Sequence, residues 1–220
     1  MSRLICFFQY LDSARKYLIL HPINQLDNEK ADKVITIMIA RKRISVNLRE
    51  KLFTVAQLLH LPRVLFAILI VVPSHPLADY FSGLEEIEAI HQIFGDKTKE
   101  VLGNLRVQFI RVVGYMGVNP SSGNLVINPN YLNNGDELEI YLDLIHELVH
   151  VRQRIEGKTL FDNNYRYVER PTEIEAYRHA VEEAKRLGLS NQEICRYLKT
   201  EWMSEGDLRQ LAKTLGVDCP

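Results

Sequence analysis

The stretch Asp143-Leu-Ile-His-Glu-Leu-Val-His150 decides how this chain is read. Leu142, Leu144, Ile145, Leu148, Val149 and Val151 surround its polar residues with apolar ones, the pattern of a deeply buried helix. On a helix, positions i and i+4 share a face one turn apart, so His146 and His150 can share a metal ion. Glu147 follows the first histidine directly. Its carboxylate then turns toward the open side of the metal, where it can take a proton from a metal-bound water. Zinc suits nitrogen and oxygen donors in a tetrahedral site that keeps one position for water. The competing reading is a pair of core histidines satisfied by hydrogen bonds, since burying them unpaired is costly.

Working outward, Asp136 is placed to cap this helix, and Glu139 three residues on completes a capping-box pattern. The helix is expected to run to about Glu156 and to close at Gly157. Upstream, Leu105 to Val113 and Asn124 to Asn128 read as strands, separated by turn chemistry at Asn119-Pro-Ser-Ser-Gly123. The Asn124–Asn128 strand is a candidate to lie beside the cleft and pair with an extended peptide. Gly83 to Phe94 reads as a short helix and Pro73 to Pro76 as a loop. Downstream, a loop rich in Asn and aromatic residues leads to a helix opened by Pro171 and Thr172 and ended by Gly188. Two shorter helices follow, capped by Ser190 and Ser204.

A catalytic zinc needs a third protein ligand. Gln153 and Glu156 stand where a glycine and a third histidine would continue the longer motif of astacin-like and matrix-protease-like enzymes, so that class does not fit. The candidates lie in Pro171-Thr-Glu-Ile-Glu-Ala-Tyr-Arg-His-Ala180. Thr172 and Glu175 have capping-box spacing, which would occupy Glu175 and free Glu173, whose place in the first turn favours its ionised form. Glu175 with His179, which share a face at i and i+4, is the competing arrangement. For stabilising a developing oxyanion, Tyr165, Tyr167, Arg170, Tyr177 and His179 are all near in sequence, and none stands out. Asp143 either orients a ligand or decorates the helix.

With those residues in place, the segment from Asp143 to Ala180 resembles the gluzincin clan of metallopeptidases, whose third ligand is a glutamate on a downstream helix. Glu173 to Ala180 is similar to the corresponding segment of the small ImmA/IrrE-type peptidases and of the membrane-bound HtpX and CAAX-prenyl peptidases. It departs from the membrane families at Tyr177, where they favour Asp. The resemblance implies an α+β, zincin-like fold: a small mixed β-sheet packed on the motif helix and a following ligand-bearing helix, with a helical C-terminus. It implies zinc held by His146, His150 and Glu173, Glu147 as general base, and hydrolysis of a peptide or protein substrate. A catalytically silent zinc-binding regulator or scaffold of the same fold is the alternative, and Glu147 speaks against it.

The rest of the chain bounds these expectations. Its 220 residues are 46% apolar and 25% charged, an ordinary globular composition, and the net charge of -1 gives no bulk attraction to nucleic acid. Residues 61–220 are expected to form the metallopeptidase domain. Residues 1–60 are read as an N-terminal extension, helical over Val46 to Leu61 and ambiguous over Asn28 to Ala40. The basic run Arg41-Lys-Arg43 and the apolar helix around Leu52 are the only hints of a binding module there, and a solvated face and a core explain them better. Val64 to Val72 reads as a buried strand, too short to span a bilayer. No signal-peptide pattern is visible at Met1 to Tyr10. Cys6, Cys195 and Cys219 are too few and scattered for a disulfide framework, and their odd number favours a reducing compartment. The expectation is a soluble, cytoplasmic protein.

Overall fold

The computed structural model describes residues 73–110 and 114–219. The sequence readings for residues 1–60 and for Val64 to Val72 lie outside the described residues, as does the end of the strand expected from Leu105 to Val113.

The described residues form an α+β arrangement around a four-stranded sheet with strand order β1-β2-β4-β3. The strands are β1 (Ser74–Pro76), β2 (Arg106–Phe109), β3 (Met116–Val118) and β4 (Leu125–Ile127). β2 and β4 run parallel, with Val107 opposite Leu125 and Phe109 opposite Ile127. These four side chains are all buried, so one face of the central pair builds the core, as period-two alternation requires. β1 joins β2 antiparallel and β3 joins β4 antiparallel.

Two sequence expectations change here. Pro73 to Pro76 is not a loop, because Ser74–Pro76 pairs with Arg106–Gln108 as an edge strand, where proline is tolerated. The strand at Asn124 to Asn128 is interior, paired on both sides as β4, so it has no free edge for a peptide. Among the described residues the outer strands are β1 and β3. The turn between β3 and β4 is built as its sequence suggests: Asn119 accepts from the backbone of Ser121 and Ser122, and Gly123 turns with positive φ.

Seven α-helices are described: α1 (Glu88–Phe94), α2 (Thr98–Asn104), α3 (Pro129–Asn134), α4 (Glu137–Ile155), α5 (Pro171–Arg186), α6 (Asn191–Leu198) and α7 (Glu205–Leu215). The single helix expected from Gly83 to Phe94 is instead a short 3-10 turn, Leu84–Glu86, followed by α1.

α4 is the centre of the fold and carries the decisive stretch. Asp136 caps it, accepting from the backbone of Leu138 and Glu139. Beyond Ile155, Gly157 adopts positive φ while Lys158 N–H returns to the Gln153 carbonyl, which stops the helix. At that end Arg154 donates to the carbonyls of Pro120 and Ser121. Its guanidinium lies 2.8 Å from where a Cβ on Gly123 would sit, so the absence of a side chain lets the β3–β4 turn dock on α4.

α5 packs along α4. Between them, Tyr141 donates at 2.5 Å to Glu183, which also takes two 2.6 Å hydrogen bonds from Arg186. Glu183 is almost fully buried, and this paired arrangement satisfies its charge. Ser190 forms a reciprocal capping box with Glu193, and Ser204 caps α7, as their spacing suggests.

The structure also joins Cys195, on α6, to Cys219, beyond α7. The cysteine count gave no sign of this pair, so that count no longer supports a reducing compartment. No helix among the described residues is long and apolar enough to cross a membrane.

Candidate metal centre

His146 and His150 project from one face of α4, and Glu173 enters from the first turn of α5. The two imidazole Nε2 atoms are 3.0 Å apart. Glu173 Oε2 lies 3.3 Å from the first and 3.4 Å from the second. All three residues are buried, yet Glu173 Oε2 receives no hydrogen bond. Three possible ligand atoms thus converge on one point. Ligand atoms on a tetrahedral zinc at ~2.0–2.1 Å stand about 3.3 Å apart, so this triangle fits such an ion.

Glu147 completes the set from α4, and its ligand atom comes within 4.8 Å of those of His146 and His150. That is reach for a proton acceptor beside a bound water, one step outside the tighter triangle made with Glu173. Burial, chiefly, pushes the Glu147 carboxyl up to about 8, with Glu173 and Asp143 adding to it and His150 opposing. Burial also raises Glu173, but the two imidazoles outweigh it and hold the carboxyl well below the usual range. His146 is pushed toward its neutral form, mainly by burial. In His150 burial acts the same way, but Glu173 and Glu147 overcome it and raise the group to about 9.

The two histidines are held differently. His150 Nδ1 lies 2.8 Å from Gln153 Oε1, while Gln153 Nε2 donates to the Thr172 carbonyl and to Glu175. Because both those partners are acceptors, the amide must turn its oxygen to His150. The imidazole then carries its proton on Nδ1 and leaves Nε2 free to ligate. His146 has no such support, since its Nδ1 is buried without a hydrogen bond. It is held by packing instead, with the Tyr177 ring edge-on at 4.3 Å.

Thr172 does not cap α5. Pro171 takes the first helical position, Arg170 is the cap residue, and the Thr172 hydroxyl donates to the Leu160 carbonyl. Glu175 is nevertheless engaged, by Arg152 at 2.6 Å, Gln153 at 2.8 Å and Lys158 at 3.1 Å. It stands behind Gln153 rather than at the triangle. His179 is partly exposed and under the electrostatic influence of Arg152 and Glu182, away from the converging atoms.

A cleft of about 90 Å³ opens beside His146 and Glu147, walled by Tyr115, Tyr131, Tyr167, Tyr177 and Trp202. Tyr167 and Tyr177, two of the five residues considered for oxyanion contact, meet hydroxyl to hydroxyl at 2.9 Å within it. Tyr165 is exposed and Arg170 donates to the Asp162 carbonyl. Asp143 is hydrogen-bonded to neither histidine: it accepts from Tyr131 at 2.6 Å, and burial pushes its carboxyl up to about 7. Sequence reasoning missed Gln153, Tyr115, Tyr131 and Trp202. The spacing of Gln153 from His150, i and i+3, was the one available signal.

No family model, no curated protein and no solved structure matches this chain.

Proposed function

We propose that this chain is a zinc-dependent metallopeptidase of gluzincin type, with His146, His150 and Glu173 as ligands and Glu147 as general base. The observation that carries this reading is the 3.0–3.4 Å triangle of two imidazole nitrogens and one carboxylate oxygen, with no hydrogen bond to that oxygen. A bound zinc would supply a Lewis acid and lower the pKa of a coordinated water.

The chain's own residues do the rest. Glu147 accepts the proton of the water that attacks the peptide carbonyl and returns it to the departing amine. Its burial removes competing solvent and raises its proton affinity. The Tyr167–Tyr177 hydroxyl pair, in which one O–H donates to the other, offers its remaining O–H as a neutral donor in the cleft for the developing oxyanion. Among the described residues β3 is an outer strand with which an extended substrate could pair, and Met116 at its start also lines the cleft.

The test is a comparison of wild-type protein with Glu147→Gln on a mixture of unrelated peptides, read by mass spectrometry alongside zinc content. The expected result is cleavage by wild type only, with equal zinc in both proteins. Equal cleavage by both would remove Glu147 from the chemistry. No cleavage by a zinc-loaded wild type across a broad peptide mixture would favour the silent zinc-binding alternative.

A further inference from the structure

Six aromatic rings form an unbroken belt around the cleft. Tyr131 packs on Tyr115 at 4.8 Å, Tyr115 on Trp202 at 5.8 Å and Trp202 on Tyr167 at 6.5 Å. Tyr167 continues to Tyr177 at 6.3 Å and Tyr177 to His146 at 4.3 Å. The belt starts and ends on α4, since Tyr131 is bonded to Asp143 and Tyr177 packs on a histidine of the same helix. Within it, α4 offers Glu139, Asp143 and Glu147, one acid per turn along the face that carries the site.

We propose that this cleft is a recognition subsite for a basic side chain, lysine or arginine, of the peptide substrate. The proposal rests on the metallopeptidase reading above for the substrate's being a peptide. Aromatic faces attract either another ring or a cation, and the polar groups decide between them. The Glu139 carboxylate makes no hydrogen bond or ion pair with any described residue, and Arg196, which also lines the cleft, acts on it through space. Lys199, the other cation lining the cleft, is turned to an ion pair with Glu205. Thr200 is also in the lining, and its buried hydroxyl has no hydrogen-bond partner among the described residues.

An ammonium or guanidinium group supplies donors for both Glu139 and Thr200 while its charge rests against the rings. A phenyl ring would fill the belt and leave both groups unanswered, at the cost of a desolvated polar group. An acidic side chain would meet three carboxyl groups. The cleft volume of about 90 Å³ accepts the tip of one side chain rather than a whole ligand.

Trp202 is the only tryptophan in the chain and is 52% exposed at the mouth, so its fluorescence reports the subsite directly. The experiment uses zinc-loaded Glu147→Gln protein, which binds without turnover. It is titrated with acetylated, amidated pentapeptides Ala-Ala-X-Ala-Ala, where X is lysine, arginine, norleucine, phenylalanine or glutamate. The expected result is a saturable emission change with the basic peptides, bound about tenfold more tightly than norleucine. Adding Glu139→Gln, isosteric and checked by circular dichroism and zinc content, should abolish that preference. Equal binding of lysine and norleucine, tighter binding of phenylalanine, or no saturable change with any peptide would overturn the subsite. Cleavage by wild type with no bias toward basic residues would also overturn it, while leaving the peptidase reading intact. A basic preference in binding with no hydrolysis anywhere would keep the subsite and sink the peptidase reading.

Discussion

Gln153 Oε1 sits 2.8 Å from His150 Nδ1, and the same amide donates to Glu175 and to the Thr172 carbonyl. One residue of α4 therefore joins a metal-ligand candidate to the start of α5, the helix that brings Glu173. Gln153 is wholly buried, so no water can take over its hydrogen bond to the imidazole.

Replacing Gln153 by leucine should therefore weaken zinc binding by about 10- to 100-fold without changing the ligand set. A competitive chelator titration measures it. Gln153→Glu, which keeps an acceptor for Nδ1–H, should recover part of the loss. Unchanged affinity in the leucine variant would show that packing alone orients His150.

Glu183 supplies a stability control. It is buried and bonded to Tyr141 and Arg186, so truncating it leaves a buried hydroxyl and a guanidinium without their acceptor. Glu183→Ala should lower unfolding stability by about 3 kcal/mol in a denaturant titration. Zinc stoichiometry of the remaining folded protein should not change, because none of these groups touches the triangle.

Asp143 should make the metal-free protein lose stability as pH rises. Its folded pKa is raised from 3.8 to about 7, chiefly by burial, with Glu139 adding and the Tyr131 and Tyr197 hydroxyls opposing. The folded state holds this proton more tightly than the unfolded chain. Its stabilising contribution is thus fully present below the unfolded pKa and is lost as pH rises through about 7. The gap between wild type and Asp143→Asn should change by about 2–4 kcal/mol between pH 4 and pH 8, with the wild type losing ground. A gap that stays constant with pH would show that Asp143 titrates normally.

What was legible in the sequence was local. The caps at Asp136, Ser190 and Ser204 are set by residues three apart, and the histidine pair by residues four apart, so short-range geometry fixed them. Glu173 was separated from Glu175 by sequence reasoning for a reason that did not hold. Thr172 is not a cap, and Glu175 is engaged instead by Arg152, Gln153 and Lys158.

What the sequence hid is long-range. Three-residue strands such as Ser74–Pro76 and Met116–Val118 are too short for a periodicity to register, and their pairing depends on partners far along the chain. Nothing local therefore marks β4 as an interior strand. The aromatic belt gathers residues from Tyr115 to Trp202, and the Cys195–Cys219 bond ties α6 to the segment beyond α7; neither leaves a local mark.

The most direct measurement of the central claim is zinc per chain, by elemental analysis, in wild-type, Glu173→Ala and Glu175→Ala proteins after equilibration with zinc and removal of excess. The triangle of His146, His150 and Glu173 calls for one zinc in the wild type, retention in Glu175→Ala and loss in Glu173→Ala. No zinc in a folded wild-type protein, or a metal that survives Glu173→Ala with undiminished affinity, would contradict it.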